Sequence, residues 1–444
     1  MFKTLGRMFV AMSAAALMFA ACGANDNDLY EYLDEPEQII EEEQFYEQAE
    51  EVIEEVGETE EVAAIIDDRS LEERIDAYMA TRADRMRGLA LSVFARDEII
   101  LQMQYGYADS EAGLAVGDDT VFAWGSVAKL FVYVSALQLY ERGLLDLHAD
   151  IFTYIPAEYF PNIVYPITMH QLMNHTAGFD DHTTFVNEFW LIMENMLNLN
   201  RDNIVSLEEA LIEFSGQDFM TNRPPGQRTV YSNYGIALAA YVIQRISGMP
   251  FHQYVHENIF APLGMYHTSV FTDLSDNAWV QDRRADIITY GMWGPMFTQG
   301  HHPYPFYPTG STPTGTIADM ILFARALMPD ENGGSALFEN AETLAMLHPT
   351  IEEISNAPLL ENNAEVAYFN GVMVFPGRIR DSDNPRIIGH DGGIMGFRTL
   401  LFIDIDNGIG MVMSENTVDG LMMAPGFLEF FIHGTPGLVK YMSH

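Results

Sequence analysis

A single cysteine, Cys22, occurs in 444 residues, so no disulfide can close within the chain. With it goes the C-x-x-C pattern that holds structural zinc, and no H-E-x-x-H run replaces it. His301 and His302 are adjacent in a Pro- and Tyr-rich stretch, but two neighbouring histidines without further ligands do not make a metal site. Glycine-rich phosphate loops are missing too. The sequence therefore predicts neither metal nor cofactor. Basic residues are scarce: 22 Lys and Arg stand against 64 Asp and Glu, a formal net charge of −42. A nucleic-acid partner needs a basic face, and this balance offers none. Beyond Met18 no apolar run is long enough to span a bilayer, and the stretch Phe427–Ile432 is short and bounded by Pro425, Gly426 and Gly434.

What is present begins with a leader. Lys3 and Arg7 precede an apolar stretch from Met8 to Met18, and then comes Phe19-Ala20-Ala21-Cys22. Small residues before the one cysteine resemble the lipobox of bacterial lipoproteins, with Phe19 where an aliphatic residue is usual. The expectation is a signal peptide over residues 1–21, a lipid on Cys22, and an extracytoplasmic protein anchored to the bacterial cell membrane. Residues 22–69 are dominated by Glu and Asp and read as a solvated tether. Within it, Ile39, Ile40, Phe45, Tyr46, Ala49, Val52, Ile53 and Val56 recur at helical spacing, so it is either disordered or a transient amphipathic helix ending at Gly57.

A folded domain over residues 70–444 opens with Ser70-x-x-Glu73, a capping-box pattern, followed by apolar Ile75, Tyr78 and Met79, with Gly88 as the stop. Leu89 to Phe94 and Ile99 to Tyr107 read as strands joined by the turn Arg96-Asp97-Glu98. After Trp124-Gly125 the pattern turns helical, with Leu130, Val134 and Leu137 on one face and Gly143 ending it. The middle, about 144–317, is helix-rich. Its clearest helix is Tyr234 to Ile246, stopped by Gly248 and Pro250, while Met292 to Phe297 reads as core or cleft wall. Strands return at Asn370–Phe375, Arg386–Gly389, Arg398–Ile405 and Ile409–Ser414, the last two joined by the hairpin signal Asp406-Asn407-Gly408. This order predicts an α/β (α+β) fold: an antiparallel sheet built from both ends of the domain, flanked by helices, with the middle inserted as a helical lobe and the site in the cleft between.

Chemistry concentrates in four separated pieces: Ser126-Val127-Ala128-Lys129, the turn Pro224-Pro225-Gly226, Tyr231-Ser232-Asn233, and His390-Asp391-Gly392. Serine and lysine three apart on a helix share a face, so the amine can reach the hydroxyl. A serine hydroxyl needs a neighbouring base to act as a nucleophile. Lys129 serves if its pKa is depressed, and Tyr231 serves as base or as a proton shuttle to the leaving group. Asn233 can donate to a substrate carbonyl and accept from Lys129. His175, in the run Asn174-His175-Thr176-Ala177-Gly178, reads as a satisfied buried histidine.

These runs resemble the S-x-x-K, Y-x-N and K/H-x-G motifs of the serine β-lactamase-related hydrolases, in the branch of class C β-lactamases, D,D-peptidases, D-aminopeptidases and β-lactamase-like esterases. Ile167 through Gly178, Pro225-Gly226, Pro262-Leu263-Gly264-Met265, and Thr314-Gly315-Thr316 with Asp319 carry the resemblance onward, over nearly everything after Ser70. It implies the β-lactamase/penicillin-binding-protein fold and a serine hydrolase that forms an acyl-enzyme on Ser126. The substrate would be a small molecule or peptide with an acylating carbonyl, the oxyanion held by the backbone N–H groups of Ser126 and Gly393. Gly392 and Gly393 would let substrate approach the strand edge. Two alternatives are a true β-lactamase or D,D-carboxypeptidase, and a slow-turnover penicillin-recognising or cell-wall-binding lipoprotein. In K-T-G relatives the lysine and threonine bind a substrate carboxylate. Here His390, with an ordinary pKa of about 6.5, and Asp391 stand in their places. The expectation is weak carboxylate recognition, falling further as pH rises through the His390 titration.

Overall fold

The computed structural model describes residues 70–80, 87–179, 206–215, 224–271, 274–285, 287, 289–291, 294–297, 313–361, 363–376, 386–394 and 396–417. The leader with Cys22, the acidic tether, the His301-His302 pair and the Phe427–Ile432 stretch lie outside them. Two units divide the chain, Met1–Ala77 and Tyr78–His444. Ser70, in the first, opens helix α1 (Leu71–Ala80), whose last three residues fall in the second: the Ser70 hydroxyl accepts from the Glu73 N–H at 3.1 Å, and the Ser70 N–H donates to Glu73 Oε2 at 2.7 Å. This is the predicted capping box. Gly88, the predicted stop, is the first residue of a strand, and residues 81–86 between it and the helix lie outside the described ones.

Among the described residues of the second unit the strands run, in chain order, β1 (Gly88–Ala95), β2 (Ile99–Asp109), β3 (Leu114–Ala115), β4 (Val121–Ala123), β5 (Thr268–Ser269), β6 (Thr289–Gly291), β7 (Gly294–Phe297) and β8 (Thr314–Thr316). They continue with β9 (Leu359–Leu360), β10 (Asn363–Phe369), β11 (Val372–Val374), β12 (Ile387–Ile394), β13 (Phe397–Asp404) and β14 (Ile409–Glu415). One antiparallel sheet takes the order β3-β2-β1-β14-β13-β12-β11-β10-β9, so early and late strands meet at β1 and β14. Smaller sheets join β4-β8-β5 and β6-β7. Burial follows position in the large sheet. β14 is buried along its whole length and β1 up to its last residue, as strands covered on both faces must be; β2 is largely exposed or half-buried.

Helix α2 (Lys129–Glu141) passes through the core. Every residue from Lys129 to Leu139 is buried, so the helix is enclosed on all sides and not only along the face expected from Leu130, Val134 and Leu137, with Lys129, Ser135 and Gln138 buried among its apolar residues. Phe131 packs on Phe323 and Phe260 at ring separations of 4.5 and 5.2 Å. Helix α3 (Asn233–Ser247) lies beside α2 and ends where Gly248 adopts φ 72, as predicted. Helix α4 (Ile317–Ala326) starts at Thr316, whose side chain accepts from the Asp319 N–H. Asp319 then turns its carboxylate to β5, accepting from His267 N–H at 2.7 Å and Thr268 Oγ1 at 2.8 Å. The Thr314–Asp319 run is thus a structural joint.

Two departures from the sequence reading bear on the site. β12 extends from Ile387 through Ile394, beyond the predicted stop at Gly389, because Gly392 and Gly393 carry little strand propensity of their own and are held by β13. Asn370 and Gly371 do not begin a strand. With φ of 46° and 94° they form the two-residue turn between β10 and β11, pairing Phe369 with Val372. A Cβ on Gly371 would lie 2.3 Å from the Tyr133 ring. Gly371→Ala is therefore expected to lose about 2–4 kcal/mol of stability, from left-handed strain and overpacking together, read as a lower urea midpoint.

Candidate active site

The Ser126 turn is built by close backbone approach. Gly125–Ala128 forms a 3-10 turn that runs directly into α2, so Ser126 sits one residue-turn ahead of Lys129. Strand β12 lies against this turn: a Cβ on Gly392 would come within 2.1 Å of the Trp124 carbonyl oxygen and 3.0 Å of the Ser126 nitrogen. One on Gly125 would lie 2.7 Å from the Gly393 nitrogen. Glycine at 392 is what allows the N–H groups of Ser126 and Gly393 to share one small region.

Ser126 Oγ stands between two donors. Lys129 Nζ lies at 2.9 Å and the Tyr231 hydroxyl at 2.8 Å. Lys129 is fully buried and also donates to Asn233 Oδ1 at 2.8 Å, while its Nζ lies 4.9 Å from the centre of the Tyr231 ring. Asn233 is placed by the start of α3, where the Ser232 hydroxyl accepts from the Gly235 N–H at 2.9 Å. The four side chains Ser126, Lys129, Tyr231 and Asn233 thus meet, though 104 residues separate Lys129 from Asn233. In this arrangement Ser126 accepts from both neighbours. Its own proton can leave only when one of them gives up its donor role.

Aromatic rings hold Tyr231. His175 packs against its ring at 4.5 Å and meets Tyr368 edge-on at 4.5 Å. His175 Nδ1 accepts from the Ser232 N–H at 3.1 Å, which leaves the proton on Nε2, and Nε2 has no partner among the described residues. His175 is buried as expected but only half satisfied. Its carbonyl accepts from Val230 N–H at 2.8 Å, and Thr176 O accepts from Gly226 N–H at 2.7 Å, so the Asn174–Gly178 run and the Pro225-Gly226 turn are one joint below Tyr231. Burial holds the Tyr231 phenol well above its ordinary range, with Tyr368 adding to the effect and the Ser126 hydrogen bond opposing it. The resting site therefore contains a neutral phenol.

His390 is wholly buried behind these rings, 5.8 Å from Tyr368 and 6.3 Å from Tyr231. Its Nδ1–H donates to the Asp391 carbonyl, and Nε2 finds no partner among the described residues. Burial pushes its pKa down to about 4; the Lys129 charge adds to this, and Asp391 works against it. Its titration thus lies well below the near-neutral range that the sequence alone suggests. Asp391 has its carboxylate 3.7 Å from His390 Nδ1 and a side chain that is 55% exposed. Two residues escaped the sequence reading. Tyr368 could have been found from the Asn370-Gly371 turn signal two residues on. Arg398 pairs across from Gly393 and lays its guanidinium against it, a placement that depends on strand register. Among the described residues no three His, Cys, Asp or Glu side chains converge as metal ligands.

A sequence model of the Beta-lactamase family matches residues 71–425. The chain belongs to that family. Within the Beta-lactamase family it is similar to a penicillin-binding protein of Bacillus subtilis (strain 168), 23% identical over 332 residues, 72% of this chain and 66% of that protein. It is also similar to the esterase EstB of Burkholderia gladioli, 29% identical over 217 residues, 44% of this chain and 50% of that protein. The chain therefore spans between half and just under two thirds of these relatives' length. The octameric penicillin-binding protein homologue from Pyrococcus abyssi superposes with a TM-score of 0.62 at 19% identity, over 79% of this chain and 74% of that one. That likeness carries the Beta-lactamase-family fold.

Burial of neutral imidazoles links the site to pH. His175, like His390, is held well below its ordinary pKa, by burial first and then by Lys129 and His390. In the unfolded chain each histidine takes a proton near pH 6.5, and in the fold it stays neutral. The unfolded state then binds more protons as pH falls below about 6.5, so stability is lost from there down to the folded pKa. For His390, with its folded pKa at about 4, the loss between pH 7 and 5 is on the order of 2 kcal/mol. Urea unfolding at both pH values is expected to show a smaller drop for His390→Gln than for wild type; equal drops would deny the buried neutral form.

Proposed function

We propose that the protein is a serine hydrolase that cleaves an ester, amide or peptide through an acyl-enzyme on Ser126, outside the cytoplasm. The observation that carries this reading is Ser126 Oγ held between Lys129 Nζ at 2.9 Å and the Tyr231 hydroxyl at 2.8 Å. With the Lys129 ammonium first deprotonated to solvent, Ser126 Oγ forms a bond to the substrate carbonyl carbon and passes its proton to the Lys129 amine, directly or through the Tyr231 hydroxyl, the two groups titrating as one coupled unit. The oxyanion is met by the N–H groups of Ser126 and Gly393. Tyr231 returns the proton to the leaving alkoxide or amine as the carbonyl–heteroatom bond breaks. Water then attacks the acyl-enzyme, giving the acid and restoring Ser126. Membership of a family with penicillin-binding and esterase relatives supports this chemistry.

The third motif bears on the substrate. A β-lactam or a D-Ala-D-Ala tail presents a carboxylate. The buried, neutral His390 supplies no charge for it at neutral pH, and Asp391 adds a negative one beside the cleft. Neutral esters and amides are the better match, ahead of a true β-lactamase or D,D-carboxypeptidase role. A fluorophosphonate or penicillin is expected to add mass to the peptide holding Ser126, and Ser126→Ala to abolish labelling and turnover alike. Lys129→Ala is expected to slow turnover at least about a hundredfold. Across a cephalosporin, a D-Ala-D-Ala peptide and a short-chain aryl ester, the ester is expected to be hydrolysed fastest. Labelling that persists in Ser126→Ala would point to another nucleophile.

The leader motif supports a lipid anchor at Cys22 and a tether over residues 22–69 that holds a 70–444 domain off the bacterial membrane. The mature protein is then expected to start at a Cys22 carrying two or more acyl chains, since one chain binds weakly. Phase separation in detergent is the check: native protein enters the detergent phase, and Cys22→Ala leaves it unprocessed or aqueous. Unlipidated native protein in the aqueous phase would refute the anchor.

A further inference from the structure

We propose that Asp391 selects substrates bearing a cationic group, an ammonium close to the scissile carbonyl, by placing an uncompensated carboxylate at the mouth of the site. This deepens the serine-hydrolase reading of Ser126 and rests on it.

The placement comes from the edge of β12. Strand β11 meets β12 only at Met373 and Gly389, so among the described residues the edge from His390 onward has no strand partner. It faces the Ser126 turn instead, through the contact of Gly392 with Trp124 and Ser126. Asp391 is the residue before Gly392, about 3.8 Å away along the backbone. Its flanking residues are buried while its own side chain is 55% exposed. The carboxylate is near enough for its charge to bear on the Tyr231 phenol, which donates to Ser126 Oγ.

Among the described residues no neighbouring cation neutralises it. His390 Nδ1 comes within 3.7 Å of the Asp391 carboxylate, but its N–H is committed to the Asp391 carbonyl and the imidazole is neutral at pH 7. Lys129 is turned inward to Ser126 and Asn233. Tyr231 and Tyr368, the other titratable groups that feel the Asp391 charge, are phenols held protonated, and that charge helps hold them so. Arg398 shares this face of the sheet by register, but its guanidinium lies against Gly393, two residues on. Its effect would be to draw an anion, the opposite selectivity. A charge on an open strand edge also discourages pairing with another chain. That role alone predicts no dependence on substrate charge.

The test uses the full-length protein and three aryl esters: glycine, N-acetylglycine and N-succinylglycine. Intrinsic reactivity differs among them, so the readout is the change in the kcat/KM ratio between wild type and variant. Asp391→Asn is expected to lower the glycine to N-acetylglycine ratio at least about tenfold, the scale of one charge-assisted contact. Asp391→Thr, a second variant with a different shape, is expected to do the same and to raise relative activity on the N-succinyl ester. Ratios unchanged in both variants would overturn the proposal, as would a wild-type preference for the N-succinyl ester, which would assign selectivity to Arg398. Ser126 labelling separates the two levels: labelled protein with flat ratios removes only the role of Asp391, whereas unlabelled protein removes the hydrolase reading beneath it.

Discussion

The side-chain amine of Lys129, fully buried and donating to Ser126 Oγ and Asn233 Oδ1, sets the terms for everything near it. Taking an amine out of water costs several kcal/mol unless hydrogen bonds and favourable neighbours replace the lost solvation. Those replacements come from distant parts of the chain: the turn before α2, the first residue of α3, and the face of the Tyr231 ring. Each must be placed accurately, which explains why the surrounding joints are so closely made. Ser232 caps α3, His175 braces Ser232 and Tyr231 together, and β12 presses its glycine edge onto the Ser126 turn. The same charge also acts outward, holding His175 and His390 below their ordinary pKa.

From this follows a division of labour along β12. His390 faces inward, loses its charge to burial, and acts as a neutral wall behind Tyr231 and Tyr368. Asp391, one residue on, faces outward and keeps contact with water. Alternation along a strand is enough to separate a packing role from an electrostatic one in adjacent residues. The two glycines that follow carry no side chain to obstruct the approach of the Ser126 turn.

Much of this was legible in the sequence where the information is local. An i, i+3 Ser–Lys pair can be read directly, as can the Ser70–Glu73 box, the Gly248 cap and the two central hairpin strands of β13 and β14. The meeting of Tyr231 and Asn233 with that pair is not local, and the family resemblance supplied it. What stayed hidden depends on register and depth. The length of β12 was masked by glycines whose pairing is dictated by β13. Arg398 reaches Gly393 only because of cross-strand alignment. His390 reads as an ordinary histidine until its burial is known. The Asn370-Gly371 turn was readable in principle, but apolar residues beyond it drew the strand two residues too early.

Helix α2 is enclosed on every side from Lys129 to Leu139. Partial openings of a protein expose segments that have few buried contacts, and this segment has none to spare. Its amide hydrogens are therefore expected to exchange with solvent only when the core opens, so the support beneath Ser126 shares the lifetime of the native state. Any motion that opened a path to Ser126 would then belong to the elements around it, with the serine held in place.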